Sequence, residues 1–296
     1  MLHIPVLTCE VSQYLNPKQD ENFIDGTIDG GGHTKILLEK IKPEGKVLGI
    51  DLDEELLDSV ALKFQKEVQD KKLVLVNDNF KNLREVVKEY NFENISGILL
   101  DLGLSLWHLE KSQKGFSFQK NEILDMRYDK NQELTARKII NTWPEKDIEQ
   151  ILKEYSQERH SRRIAKEIIR WRKKKPIVTT FDLVNIIRKA VPRNYERGRI
   201  HFATRAFQVL RIAVNQELEN LRAVLPQVIE VLKCGGRAAI ISFNSLEDRI
   251  VKNFFKEKAR EEKIKILTKK PIRPAEKEIK LNPRARSAKL RAAIKL

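Results

Sequence analysis

The stretch FIDGTIDGGGHT, residues 23–34, constrains this chain most, because GIDLD, residues 49–53, closes the next apolar run. A short apolar run, a glycine cluster, a helix-forming segment over 35–42, a second apolar run and an acid about twenty residues past the glycines describe a nucleotide-binding βαβ unit. Gly30, Gly31 and Gly32 predict a backbone that passes close to a ligand. Asp51, at the carboxyl end of the second strand, is placed to accept hydrogen bonds from ribose hydroxyls.

The loop narrows the nucleotide. No register of it supplies G-x-G-x-x-G, and there is no G-K-[ST], so neither a dinucleotide fingerprint nor a P-loop is present. The remaining common ligand is S-adenosylmethionine. It carries a ribose but no phosphate, so its loop need not build a full anion nest. Its positive sulfonium and amino groups suit the acids Asp25 and Asp101, each at the end of a predicted strand.

Strand and helix patterns alternate through the first hundred residues, with apolar runs at 23–25, 47–51, 73–76 and 98–102. That is the βαβ alternation of a parallel sheet covered on both faces. From 107 to 200 the pattern turns helical, over 134–141, 146–155, 159–173 and 181–190, punctuated by Pro144, Pro176 and Pro192. A long helical segment over 203–232 follows, then an apolar run at 237–243, a helix over 246–262 and short runs at 264–267 and 290–296. The expected fold is α/β, one sheet domain interrupted by an all-helical insertion. The division is 1–106 for the first part of the core, 107–200 for the insertion and 201–296 for the second part.

Charge sharpens this division. The chain carries a net +15, yet residues 1–152 hold 20 Lys and Arg against 27 Asp and Glu. Residues 153–211 hold 17 against 5, and residues 256–296 hold 15 against 5. An acidic nucleotide domain with two strongly basic segments predicts a polyanion, best a nucleic acid, docking beside the cofactor. In QERHSRRIAKEIIRWRKKK, Arg159, Arg162, Arg163, Lys166, Arg170 and Lys173 recur at spacings that gather them on one helical stripe, with Ile164, Ile168 and Trp171 opposite. One packed face and one basic face suit phosphate contact.

Cys9 and Cys234 stand alone, with no C-x-x-C, so neither a disulfide scaffold nor a cysteine-rich metal site is expected and no metal is assigned. The first residues, MLHIPVLTCEV, lack the apolar core of a signal peptide, and no run reaches the ~18 apolar residues of a membrane span. A soluble, cytoplasmic protein is expected.

A further set of motifs runs along almost the whole chain in one order. HIPVL stands at 3–7, IDGT at 24–27, GGH at 31–33 and GIDLD at 49–53. NF follows at 79–80, GILLDLG at 97–103, GFSF at 115–118 and LDMR at 124–127. ATRAFQVLRI at 203–212, VNQEL at 214–218, GGR at 235–237, SLEDRIVK at 245–252 and NPRARSAKLR at 282–291 complete it. In this the chain resembles the bacterial family that methylates the exocyclic N4 of a cytosine in 16S ribosomal RNA, the RsmH or MraW type.

The resemblance implies an S-adenosylmethionine-dependent methyltransferase with a Rossmann-like class I sheet and an inserted helical domain that recognises RNA. Its partner would be the small ribosomal subunit, and it leaves a homodimer open. Carried over residue by residue, it places Gly31, Gly32 and His33 on the cofactor, Asp51 at the ribose, Phe80 beside the adenine and Asp101 near the reacting end. His108 stands at a further cofactor position, where Gln is usual. Candidate RNA contacts are Arg159, Arg162, Arg163, Arg205, Arg284, Arg286 and Arg291. Asp101 and Asn244 are the candidates for catalysis, Asn244 at a position where the family carries His.

The chemistry can be reasoned from the groups present. Methyl transfer from a sulfonium is an in-line displacement, so the protein mainly aligns nucleophile, methyl and sulfur. A cytosine amino group is a weak nucleophile; an acceptor such as Asp101, or a carbonyl of 101–105, would draw it toward tetrahedral geometry and take its proton. Methylation at C5 would need a cysteine nucleophile, and neither cysteine lies in a suitable loop. Asp29 stands at a family glycine, Phe202 at a family proline, and SLWHLE at 105–110 replaces a small polar pattern. These departures keep two alternatives in view: a methyltransferase on another nucleic acid such as DNA cytosine, and a non-catalytic RNA-binding or ribosome-assembly scaffold.

Overall fold

The computed structural model describes residues 5–192, 195 and 201–296. His3 and Ile4 of the HIPVL motif, and residues 193, 194 and 196–200 of the expected insertion, lie outside the described residues. The chain divides into two compact units, Met1–Ser105 with Leu218–Leu296, and Leu106–Glu217.

The first unit is built on a seven-stranded sheet in the order β3-β2-β1-β4-β5-β7-β6. Its strands are β1 (Asn22–Asp25), β2 (Val47–Asp51), β3 (Leu73–Asn77), β4 (Ile95–Asp101), β5 (Leu232–Ser242), β6 (Ile264–Ile266) and β7 (Lys289–Lys295). β1 to β5 are parallel, and β7 runs antiparallel between β5 and β6. Helices α1 (Thr8–Leu15), α2 (Gly32–Lys40), α3 (Glu54–Lys63), α4 (Gln65–Gln69) and α5 (Leu83–Glu89) fall between the first four strands or before them.

Successive strand residues face opposite ways, so the sheet needs cover on both sides. Ile24, Leu48, Ile98, Leu100 and Ile240 join one buried cluster; their neighbours Phe23, Val47, Leu99, Ala239 and Ile241 join the other. This is the parallel sheet covered on both faces that the alternation predicts, in the Rossmann-like form that the resemblance implies.

The second unit is helical: α6 (Leu106–Glu110), α7 (Ala136–Thr142), α8 (Glu145–Ser156), α9 (Ser161–Arg172), α10 (Thr180–Ala190) and α11 (Thr204–Asn215). α8 packs on α9 and α11, and α9 on α10, around Ile148, Ile164, Ile168, Ile186 and Leu210. Three helices complete the sheet unit: α12 (Glu217–Val231), α13 (Ser245–Arg260) and α14 (Glu276–Leu281).

Two boundaries differ from the sequence reading. The helical pattern over 203–232 is two helices, broken at Gln216, whose backbone is left-handed at φ 50°. The cause is Asn215, whose amide donates to the Met126 carbonyl (2.8 Å) and accepts from the Tyr128 N–H (2.9 Å), pinning the chain to the LDMR segment. α11 therefore packs with the helical unit, which runs to Glu217 rather than stopping at 200. β5 begins at Leu232, ahead of the apolar run at 237, through a register shift opposite Ile95 and Gly97. Among the described residues, no helix is long and apolar enough to cross a membrane.

Candidate active site

Each of the first four strands ends in a polar side chain: Asp25, Asp51, Asn77 and Asp101. β1 lies between β2 and β4, where the strand order changes direction, and open α/β sheets bind ligands outside the carboxyl ends at such a point. The corner is bound into one piece by short bonds. The Gly26 N–H donates to the Leu99 carbonyl (2.9 Å), the Asp101 N–H to Thr27 Oγ1 (2.6 Å), and the Ile28 N–H to the Ile50 carbonyl (3.0 Å).

The glycine loop turns through two left-handed residues, Asp29 at φ 45° and Gly31 at φ 69°. Asp29 tolerates this better than most residues with a Cβ, so a family glycine can be replaced there. The glycines are used differently from the sequence expectation. A Cβ on Gly31 would lie 2.6 Å from Phe64 Cε2, and one on Gly32 would lie 2.7 Å from Pro5 Cγ. The missing side chains at Gly31 and Gly32 make room for Phe64 and Pro5, which press onto the loop from within the protein. Lys63 Nζ donates to the Gly30 carbonyl at 2.6 Å and fixes the loop's outer edge.

Asp25 is 1% exposed. It accepts from Thr34 Oγ1 (2.7 Å) and, more weakly, from the Thr27 N–H (3.4 Å). Burial pushes its carboxyl above the usual range, and the nearby His33 charge, Thr34 and Thr27 only partly offset that. His33, the second residue of α2, brings Nε2 to 3.5 Å from Asp101 Oδ2. His33 Nε2 and Asp101 Oδ1 are both buried and have no hydrogen-bond partner among the described residues.

Asp51 is organised by its own loops: its two oxygens accept from the Asp29 N–H and the Asp53 N–H, each at 3.0 Å. Asn77 reaches back from β3 to the Asp51 carbonyl at 3.0 Å. Phe80 opens a short 3-10 turn after β3, half-buried against the sheet core. Gly103, at φ 129°, follows β4 and lies against the Phe243 ring.

The structure therefore brings Gly31, Gly32, His33, Asp51, Phe80 and Asp101 onto the loops at the carboxyl ends of β1 to β4. His108 belongs to the helical unit, where its ring packs between Phe116 (5.1 Å) and Tyr128 (4.8 Å). Asn244 is a helix cap. Its Oδ1 accepts from the Leu246 and Glu247 N–H groups (2.9 and 3.0 Å), its Nδ2 donates to the buried Glu247, and Glu247 returns a bond to the Asn244 N–H. An amide so engaged has a structural task at the start of α13.

The basic residues separate into exposed and committed groups. Arg159, Arg162, Arg163, Lys166, Arg170 and Lys173 are exposed around α9, while Ile164 and Ile168 are buried beneath them, as the spacing predicts. Arg284 and Arg286 are exposed on the turn before β7. Arg291 is not available to RNA. It is 6% exposed on an interior strand, and its Nε donates to Asp248 Oδ1 at 2.7 Å. Arg205 is held at 3.7 Å from the buried Glu158, which also accepts from the Tyr195 hydroxyl at 2.8 Å. Burial and Glu158 together push the Tyr195 phenol up.

The sequence reading missed Thr27 and Thr34, which hold the two strand-end acids, and Phe64 and Pro5, which fill the glycine loop. The threonines sit inside quoted motifs, so their spacing was visible, but their bonding partners depend on the sheet order.

The model of the MraW methylase family matches residues 1–296. A ribosomal RNA small subunit methyltransferase H from Halothermothrix orenii is 44% identical over 98% of this chain and 97% of its own length. The enzyme of that name from Heliobacterium mobile is 43% identical over 99% of each. Among solved structures, an rRNA methylase from Streptococcus thermophilus is similar at 12% identity and a TM-score of 0.46, over 97% of this chain and 95% of that one.

Proposed function

We propose that this chain, which belongs to the MraW methylase family, transfers the methyl group of S-adenosylmethionine to the exocyclic N4 of a cytosine in 16S ribosomal RNA. The observation that carries the site assignment is Asp101 at the end of β4, a half-buried carboxylate whose buried Oδ1 has no hydrogen-bond donor among the described residues. A buried acid is costly until something pairs with it. A ligand with a positive sulfonium, an amino group and a ribose diol fits the set Asp25, Asp51 and Asp101.

When bound, S-adenosylmethionine supplies a methyl group on a positively charged sulfur. Gly31, Gly32 and His33 would hold it, on a loop backed by Phe64 and Pro5. Asp51, its carboxylate held in place by the Asp29 and Asp53 N–H groups, would accept from the ribose hydroxyls. Phe80 offers an apolar face to the adenine. Asp101 accepts a hydrogen bond from the N4 amino group, draws its lone pair out of the ring and receives its proton as the N–C bond forms and the C–S bond breaks. Asn244 takes no proton in this scheme, so replacing the family His there costs no chemistry.

The exposed arginines of α9, with Arg284 and Arg286, meet RNA phosphates. Arg291 does not belong to that set. The setting is the cytoplasm and the partner the small ribosomal subunit; a homodimer is no part of the proposal.

Incubating the chain with labelled S-adenosylmethionine and unmethylated small subunits, then identifying the nucleoside by mass spectrometry, tests this. N4-methylcytosine at one site is expected. Methyl at C5, or no transfer by protein that binds the cofactor, overturns it.

A further inference from the structure

We propose that His33 takes over, through Asp101, the proton that the nucleophilic amino group gives up, so that one positive charge stays beside the strand-end carboxylates when the sulfonium is lost. This inference rests on the methyl-transfer reading and adds the fate of the proton to it.

Charge balance motivates it. Transfer from a sulfonium to a neutral amine yields a neutral thioether, a neutral methylated amine and one proton. Before the step, a cation lies among Asp25 and Asp101; after it, that cation is gone. Buried carboxylates without a counter-charge are strongly disfavoured, so a site that keeps the released proton is better balanced than one that loses it to water.

The geometry supplies a place for that proton. Asp101 turns Oδ2 toward His33 Nε2 at 3.5 Å, and among the described residues neither Oδ1 nor Nε2 has a hydrogen-bond partner. The side chains are 7% and 13% exposed, so water is largely kept from both. The separation is long for a hydrogen bond, but catalytic hydrogen bonds tighten once the reacting complex forms. The steps balance as follows. The N4 lone pair forms the N–C bond, the C–S electrons return to sulfur, and the N–H proton moves to Asp101 Oδ1. A half-turn of the carboxyl then presents the proton to Nε2, giving an imidazolium beside a carboxylate.

The surroundings select one cation at a time. Asp25, from β1, interacts electrostatically with both His33 and Asp101, and a positive His33 favours its ionised form. On the other elements packed here, Asp51 is occupied by backbone N–H groups and Lys63 by the Gly30 carbonyl; Lys35 lies 4.0 Å from Glu39, and Asp29 acts on Lys63. A sulfonium bound beside His33 would repel a positive imidazole. Imidazolium and sulfonium therefore compete for one counter-charge, and loss of the second makes room for the first.

Two ligands that differ by one methyl and one charge test this directly. His33 is assigned by comparison with the H33Q variant, and its ring nitrogens are titrated by NMR in protein saturated with S-adenosylmethionine or with S-adenosylhomocysteine. The midpoint is expected to be higher with the homocysteine ligand by at least about one pH unit, a tenfold change in proton affinity. Calorimetry at saturating ligand in buffers of different ionisation enthalpy should find more proton uptake with S-adenosylhomocysteine, and H33Q or H33N should abolish that difference. Equal midpoints, or an uptake difference that survives in both variants, would overturn the relay alone. Failure of the wild-type protein to bind either ligand would overturn the cofactor reading together with it.

Discussion

The corner at the carboxyl ends of β1, β2 and β4 and the basic face of α9 handle charge in opposite ways. At the corner, Asp25, Asp51 and Asp101 are buried or half-buried, and backbone N–H groups or threonine hydroxyls fix most of their oxygens. On α9 and the turn before it, Arg159, Arg162 and Arg163 stand in solvent, and the ion pair at Arg170 is a loose one to Glu167 at 3.8 Å. Removing one partner from a buried charge costs about 3–5 kcal/mol, whereas an exposed pair contributes about 0–1 kcal/mol. A small charged ligand can be gripped by a few desolvated groups, each indispensable. A polyanion is better held by many solvated ones, each replaceable. The comparison predicts steep, all-or-none losses in the corner and shallow, additive ones on the helix.

The steepest should be Asp101→Asn. It keeps an acceptor oxygen but cannot carry a proton, and loss of a general base typically lowers rates about 10²–10⁴-fold. Single-turnover methyl transfer should fall within that range while the thermal midpoint holds; undiminished transfer would remove Asp101 from the mechanism. Arg291→Met comes next and tests whether a buried arginine behaves like the corner rather than like α9. Losing its bond to Asp248 should cost about 3–5 kcal/mol in urea unfolding. The lower end is expected, because Lys289 Nζ remains 3.5 Å from Asp248. RNA affinity should not change.

The same pair sets a pH dependence. Burial raises the Asp248 carboxyl, but Arg291 and Lys289 outweigh it and leave it below its ordinary 3.8. A carboxyl depressed in the folded state gives stability that is full above that ordinary value and is lost as pH falls through the folded one. The wild-type protein should therefore lose stability below about pH 4. In Arg291→Met that part of the acid limb should shrink.

Much of this was legible before any coordinates. Apolar runs ending in Asp25, Asp51 and Asp101 locate the strands and the side of the sheet that binds, since a parallel strand's carboxyl end must carry the polar exit. The α9 stripe was legible for another reason: a 3.6-residue period reports directly which residues share a face. Arg291 was misread because a basic residue in a short apolar strand looks the same whether it faces RNA or an interior carboxylate. Only the position of β7 between β5 and β6 decides that. Asn244 is a similar case. Read by family position it looked like a damaged catalytic site, yet N-S-L-E also spells an Asn cap with Glu three residues on, a capping-box pattern readable from local chemistry. Phe64 and Pro5 could not have been assigned to Gly31 and Gly32, because close packing between distant segments leaves no local periodicity.

Gly31→Ala probes that packing. The left-handed backbone costs a residue with a Cβ about 1–2 kcal/mol, and the new methyl would also meet Phe64. Calorimetry should record roughly tenfold weaker S-adenosylmethionine binding if that cost falls on the loop. Replacing Arg162 and Arg163 together by alanine should leave the urea midpoint unchanged. The slope of log affinity against log salt should drop by about 0.7 per lost contact to single-stranded RNA. An unchanged slope would show that the α9 face is solvated surface and would break the comparison on its weaker side.

The smallest effect belongs to Asn244→Ala, where the corner's steepness should be absent although the residue lies two positions past β5. Its side chain satisfies two backbone N–H groups at the start of α13, and loss of an Asn cap costs about 1 kcal/mol. The buried Glu247 would keep its bonds from the Phe243 and Asn244 backbone, so no charge is stranded. Stability should fall by that amount while cofactor affinity and single-turnover transfer stay at wild-type values. A drop in transfer without a drop in stability would return position 244 to the chemistry. It would also mean that the family His acts on the substrate rather than holding a helix, leaving the Asn in this chain a catalytic deficit that the structure conceals.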